Sequence, residues 1–239
     1  ISAAYTKDEI EELASGKTDD ISNNWFIGKS IAVWYDVQNA GLWQDTPEDH
    51  AEMDKFNANG HSFKPGMVKP VDQNGDYKIT DEDDRVILGN QNPRWTFGWT
   101  NTFSYKGIEL SAQMYGRFKY MISTGGEAQL GRYNQRAIDY WTPSNTNAEY
   151  QMPIYNQSGG DAYSDLLGYK NANFLKMRNI SLGYVLPKSI ISKIGLSNLK
   201  VYVQANNPFT IYSSVDFIDL DLGGSTFNRG FVFGLDVTF

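Results

Sequence analysis

The chain has 239 residues and a mass of 27.0 kDa, room for one large domain or two small ones. Cysteine is absent and only His50 and His61 are histidines, which excludes a disulfide scaffold and a thiolate metal site and leaves no basis for a polyhistidine site. A net charge of −7 and a pI near 4.9 exclude the basic face that a nucleic-acid binder needs.

The longest unbroken apolar run is Ile31 to Tyr35, far short of the roughly 18 residues of a membrane-spanning helix. A transmembrane β-strand needs only about 9–11 residues with alternate ones apolar, so a membrane stays open. The first residue is Ile, which suggests a processed product or a piece of something longer.

In chain order, residues 1–92 are polar and acidic, with one short strand-like stretch at Ser30 to Asp36. From residue 93 the pattern changes to long period-2 alternation. Over Arg94 to Lys106, Trp95, Phe97, Trp99, Phe103 and Tyr105 share one parity, and Thr96, Thr100, Thr102 and Ser104 the other. Gly107 turns the chain. Ile108, Leu110, Ala112, Met114 and Phe118 then oppose Glu109, Ser111, Gln113 and Arg117. Residues 119–172 carry no sustained period. Asn173 to Leu186 forms a third strand, with Ile180, Leu182, Tyr184 and Leu186 on one face, and Pro187 ends it. Lys188 to Ile194 suits one helical turn. Asn198 to Asn207 alternates again, and so does Phe231 to Phe239.

These strands are longer than the five or six residues usual in globular sheets. Their connections alternate long and short, as in an outer-membrane barrel with long extracellular loops. Aromatics near the strand ends suit girdles, with Trp95 and Trp99 facing lipid. Thr96, Thr100, Thr102, Glu109, Ser111, Gln113 and Arg117 suit a wet lumen. The competing architecture is a soluble β-sandwich with an aromatic inner face.

Four blocks resemble the C-terminal part of SusC/RagA-like TonB-dependent outer-membrane transporters. They are Trp25 to Gln44, Pro65 to Ser111, Asn171 to Pro187 and Asn198 to Ile211. The resemblance implies an all-β fold: the C-terminal strands of a large transmembrane antiparallel β-barrel of about 22 strands, plugged at its N-terminus. It implies the outer membrane of Bacteroidetes-type bacteria and import of oligosaccharides or peptides. It also implies a SusD-like surface lipoprotein as a lid, and TonB acting through the missing N-terminal part. On this expectation 1–92 is an extracellular loop region preceded by the end of a strand at Ile1 to Tyr5. Residues 93–239 are barrel strands ending in the periplasm. Five strands cannot close, so the remainder of the barrel and plug must complete them.

The strongest local motif is Asp72 to Asp83. Asp72, Asn74, Asp76, Thr80 and Asp83 place side-chain oxygens at loop positions 1, 3, 5, 9 and 12, and Lys78 offers a carbonyl at position 7. That is the oxygen pattern of an EF-hand-like calcium loop. It departs from that pattern in Tyr77, where glycine usually makes the turn, and in the short Asp83. The alternative is an acidic surface turn without an ion.

The loop aromatics Tyr133, Tyr140, Trp141, Tyr150, Tyr155 and Tyr163 are candidates for stacking on sugar rings or, more simply, for packing the loop against itself. No acidic pair, among them Glu11–Glu12, Asp19–Asp20 and Asp81–Asp84, sits where one pKa would rise alone. No nucleophile, zincin or phosphate-loop motif is present, so no enzyme is expected. His50 and His61 read as solvated. The second function class is a secreted β-sandwich that binds glycans and holds a structural calcium.

Overall fold

The computed structural model describes residues 1–124, 138–153, 160–222 and 227–239. The elements in chain order begin with β1 (Ser2–Tyr5), β2 (Val33–Val37), β3 (Asn39–Leu42), helix α1 (Pro47–Ala58), β4 (Val68–Pro70) and β5 (Arg85–Asn90). There follow β6 (Trp95–Tyr105), β7 (Ile108–Phe118), β8 (Met121–Ser123), β9 (Tyr169–Asn171) and β10 (Phe174–Val185). The last are α2 (Lys188–Ile191), β11 (Asn198–Ser213) and β12 (Gly230–Thr238). The chain divides into two compact units.

The first unit holds residues 1–7, 93–120 and 171–239. It is a six-stranded antiparallel sheet in the order β1-β6-β7-β10-β11-β12. All five strands expected from alternation are present. β6 and β7 are joined by Lys106 and Gly107, both at positive φ (47° and 85°), the two-residue hairpin whose twist matches its strands. The helical turn at Lys188–Ile191 is also as expected.

Besides a shift between Leu175 and Lys176 in the β10–β11 ladder, two register irregularities shape the sheet. In β10 the pairing steps from Met177↔Met114 to Asn179↔Gln113, so Arg178 is an extra residue. Such a bulge shifts side-chain parity by one. Before it, Lys176 lies on the polar face; after it, Asn179, Ser181 and Gly183 do. β11 runs six residues beyond the Asn207 expected from the sequence. Asn206-Asn207-Pro208 breaks the alternation, Asn207 takes φ 48°, and pairing resumes at Phe209↔Met177.

The loops leave this sheet unevenly. β1 ends opposite Trp95, β7 ends opposite Trp95, β10 begins opposite Arg117, and β11 ends opposite Phe174. The three long connections therefore leave from one end of the sheet. The short turns at 106–107 and 186–197 lie at the other.

The second unit holds residues 8–92 and 121–170. It is built from these two long insertions, while residues 1–7 belong to the sheet, as the strand expected at Ile1 to Tyr5 requires. Strands pair as β2-β5, β3-β4 and β8-β9. Val37, Leu42, Val68, Trp141, Tyr150, Leu166 and Leu167 form one core. Trp43, Met53, Phe56 and Phe63 form another. Helix α1 is capped by Thr46, whose hydroxyl accepts the Asp49 N–H at 3.2 Å, and starts with Pro47.

His61 is not the solvated residue expected. Its ring stacks on Phe63 at 5.0 Å, lies beside Phe56 and Tyr163, and accepts the Ile79 N–H at Nε2 (3.1 Å). Burial lowers its pKa, opposed by the Asp84 carboxylate. His50 is exposed and meets Asp45 at 2.6 Å.

The unfolded chain protonates His61 more readily than the folded one, so its contribution to stability is present above about pH 6.5 and is lost as pH falls below that value. The protection factor of the Ile79 amide, its exchange rate relative to the intrinsic one, should fall between pH 7.5 and pH 5.5, and His61→Asn should remove that fall.

Candidate functional site

The six-stranded sheet has two chemically distinct faces, and the register shows how each is assembled. One cross-strand row reads Phe103, Leu110, Leu182, Val203 and Phe233. The next reads Tyr105, Ile108, Tyr184, Val201 and Leu235. Large apolar side chains on these rows stay open to the surroundings: Phe103 is 57% exposed, Leu182 48%, Phe233 80% and Leu235 68%. A contiguous apolar face of this breadth is not a water-facing surface. At its ends lie aromatic residues. Tyr5 packs on Trp95 with ring centroids 4.9 Å apart, and Tyr105 and Tyr184 occupy the opposite end.

The other face carries Thr102, Ser111, Ser181 and Gln204 in one row and Thr100, Gln113, Asn179 and Asn206 in the next. Asn206 Oδ1 accepts from the side-chain amides of both Asn179 (2.9 Å) and Gln204 (2.8 Å). Glu109 pairs with Lys200 across the sheet. The residues expected to line water therefore share one face.

Nearer the long-loop end, this polar face carries an ionic cluster that alternation did not reveal. Lys176 Nζ lies 2.6 Å from Asp219 Oδ2 and 3.7 Å from Asp221 Oδ2. Arg178 grips Asp221 with two bonds, Nε at 2.8 Å and Nη2 at 2.5 Å. The Arg178 guanidinium also sits 3.9 Å over the Tyr115 ring, while Arg117 Nε donates to the Tyr115 hydroxyl at 2.8 Å. The bulge makes this possible, because it keeps Arg178 and Asn179 with Lys176 on one face. Burial pushes the Asp221 carboxyl up, but the Arg178 bonds and the charges of Arg178, Lys176 and Arg117 outweigh it and hold the group below the usual carboxylate range. Two signals in the sequence point to the cluster: the parity change at Met177–Asn179, and the two carboxylates that flank Leu220.

The 72–83 loop is a tight turn closed by its own side chains. Asp72 accepts the N–H groups of Gly75 (2.7 Å) and Tyr77 (2.8 Å). Tyr77 takes φ 59° at the position where glycine is usual. Asn74 accepts from Asp76 N–H and Asp76 from Lys78 N–H. Thr80 Oγ1 meets Asp83 Oδ2 at 3.4 Å. The carboxylate that closes the loop is the fully buried Asp84, which accepts from Gln73 N–H and Thr80 N–H. Among the described residues no three acidic or His side chains converge on one point. The oxygens suit a hard cation in kind, and the arrangement directs them at N–H donors.

Of the loop aromatics, Trp141 and Tyr150 are core residues, and Trp141 Nε1 donates to Gln44 Oε1 at 3.0 Å. Tyr163 packs against the same core, and Tyr140 is exposed. Tyr133 and Tyr155 lie outside the described residues. Packing thus accounts for three of the four described candidates. Trp34 donates from Nε1 to the Met121 carbonyl and lies 5.4 Å from Tyr169.

No family model matches the chain. It is similar to three receptors of Formosa agariphila. TonB-dependent receptor P3 is 27% identical over 89% of this chain and 22% of that protein. TonB-dependent receptor P26 is 28% identical over 92% and 21%. TonB-dependent receptor P39 is 23% identical over 95% and 25%. In fold it is similar to the RagAB peptide importer in its open-open state, with a TM-score of 0.65, 22% identity, and coverage of 98% of this chain and 26% of that one. A second RagAB peptide transporter structure aligns with a TM-score of 0.59 at 21% identity, over 90% of this chain and 23% of that one. The chain therefore spans about a quarter or less of the proteins it matches. The chain, an all-β fold with a two-faced antiparallel sheet, is thus similar over most of its length to TonB-dependent receptors and similar in fold to part of the RagAB importer.

Proposed function

We propose that this chain forms barrel wall and attached loops of a TonB-dependent outer-membrane transporter that imports oligosaccharides or peptides. The observation that carries this reading is the pairing of the two faces. The apolar rows through Phe103 and Tyr105 meet lipid, and the Thr, Ser, Gln and Asn rows line a wet passage. The chain contributes structure and selectivity, not chemistry; its relatives are receptors and transporters rather than enzymes.

Partners follow from the same reading. Among the described residues the sheet ends on β1 at one side and β12 at the other. Open edges in hydrocarbon leave backbone groups unsatisfied at several kcal/mol each. The rest of the barrel pairs with both edges, and the plug with its TonB-contacting segment belongs to that remainder. A SusD-like surface lipoprotein covers the long-loop end, which faces outward, and the Phe239 end faces the periplasm. The likeness to the RagAB importer supports a lipoprotein partner of this kind.

A second, local reading concerns the 72–83 loop. We propose that calcium stiffens it, held by Asp72, Asn74, Asp76, the Lys78 carbonyl, Thr80 and Asp83. The support is the left-handed turn at Tyr77 and the inward Asp72 carboxylate. An extracellular loop of this kind needs an affinity of only about 0.1–1 mM.

Two outcomes are expected. Detergent extraction should recover this chain in material several times its 27.0 kDa. There Leu110→Lys should cost about 2–4 kcal/mol and lower the yield of assembled barrel, while Thr100→Lys leaves it near the parent level. A detergent-free monomer would instead support the secreted sandwich. Calcium at a few millimolar should raise the thermal midpoint of the second unit by a few degrees, and Asp72→Asn should abolish the rise. An unchanged midpoint would return the loop to an ion-free turn.

A further inference from the structure

Long connections in a barrel of this type are expected outside the membrane. Residues 214–222, which follow β11, do something else. Ser214 N donates to the Asn173 carbonyl at 2.9 Å, and the Ser214 hydroxyl accepts the Asn173 N–H at 2.9 Å. From that anchor the segment runs back over the polar face. Val215 is 3% exposed and Leu220 7%. The turn at Leu220–Leu222 then sets Asp219 and Asp221 against Lys176 and Arg178 of β10.

The burial of these charges is the informative quantity. Side-chain exposure is 2% at Lys176, 5% at Asp219 and 3% at Asp221. A lysine near the start of a strand, on a polar, water-lining face, would ordinarily keep its ammonium solvated. Here it is covered, and it is tolerated because two carboxylates neutralise it at once. Elsewhere on the same face Thr100 is exposed, and Gln204 and Asn206 are half-buried. The covering is therefore local to the rows that the segment crosses.

We infer that residues 214–222 form a strap held on the lumen side of the barrel wall by the Lys176–Asp219 and Arg178–Asp221 ion pairs, narrowing the passage there rather than extending as a surface loop. This rests on the barrel-wall reading above. Arg178 is the specific part of the latch, because its two parallel bonds fix the orientation of Asp221, and it reaches the cluster only through the bulge. A solute passing this sector meets the strap and its exposed Asp216, not the bare strands.

The test uses the whole transporter in detergent with one cysteine added to this cysteine-free segment. Val215→Cys is close in volume and reports opening of the strap through its rate of reaction with a small maleimide. Asp216→Cys, on the exposed neighbouring residue, sets the unprotected rate. Val215→Cys should label at least about tenfold more slowly than Asp216→Cys. Arg178→Asp or Asp221→Arg alone should erase that protection. The two together, which exchange the charges, should restore most of it. Equal labelling of Val215→Cys in all backgrounds would overturn the latch, and so would protection that survives both single changes. If the barrel-wall reading itself fails, no detergent-embedded assembly containing this chain is recovered, which is a different result from an assembled transporter with an unprotected Val215→Cys. Loss of assembly confined to the single charge variants, with the exchanged pair recovered and protected, would support the latch.

Discussion

On the barrel-wall reading, backbone hydrogen bonding in hydrocarbon is the constraint on which the rest of this structure depends. Water cannot complete an unpaired N–H or C=O inside a bilayer, so a membrane sheet is acceptable only when every strand has neighbours on both sides. β6, β7, β10 and β11 meet that condition within the chain, each paired on both sides through antiparallel ladders that shift register along β10. β1 and β12 meet it on one side. The same constraint accounts for the residue choice. Strands that face lipid with every second side chain can be apolar there and hydrophilic on the other face, which is what the Phe103 and Thr102 rows show side by side.

Within that frame, the bulge at Arg178 decides where charge is placed. A strand that kept strict alternation would put Lys176 and Arg178 on the same side as Ile180 and Leu182. The extra residue changes parity once, so the basic pair faces the polar side while the apolar row continues on the other. Bonding to Asp219 and Asp221 offsets much of the cost of covering those charges, and removing one partner would leave an uncompensated buried charge. The second unit is stabilised differently, by apolar cores around Trp43 and Trp141 and by a network of side chains capping backbone N–H groups between Asp72 and Asp84.

Much of the sheet is legible in the sequence because period-2 alternation over ten or more residues arises almost solely in a strand with two unlike faces. β6 and β7 match their expected bounds within a residue or two. Alternation marks only the first part of β11 because Asn206-Asn207-Pro208 erases it, while backbone pairing tolerates the irregularity and resumes. Helix α1 leaves little periodic trace because it buries only Met53 and Phe56, too few to create a helical period, although Thr46-Pro47-Glu48-Asp49 is a clear start signal. The short strands β2 to β5 owe their pairing to contacts between distant parts of the chain, which local pattern does not encode. The ionic cluster is hidden for the same reason, since Lys176 and Asp219 are 43 positions apart. His61 looks solvated in the sequence because its polar neighbours along the chain are not its neighbours in space.

The central claim is that one face of the sheet meets lipid and the other meets water. Nitroxides placed one at a time along β6, residues 95–105, in the assembled transporter in bilayers measure this directly. The account predicts that odd-numbered positions through Phe103 and Tyr105 are relaxed by oxygen, which concentrates in lipid, and even-numbered positions through Thr100 and Thr102 by a water-soluble nickel complex. Odd-numbered positions shielded from both reagents would mean that the aromatic face is a protein core, and would contradict it.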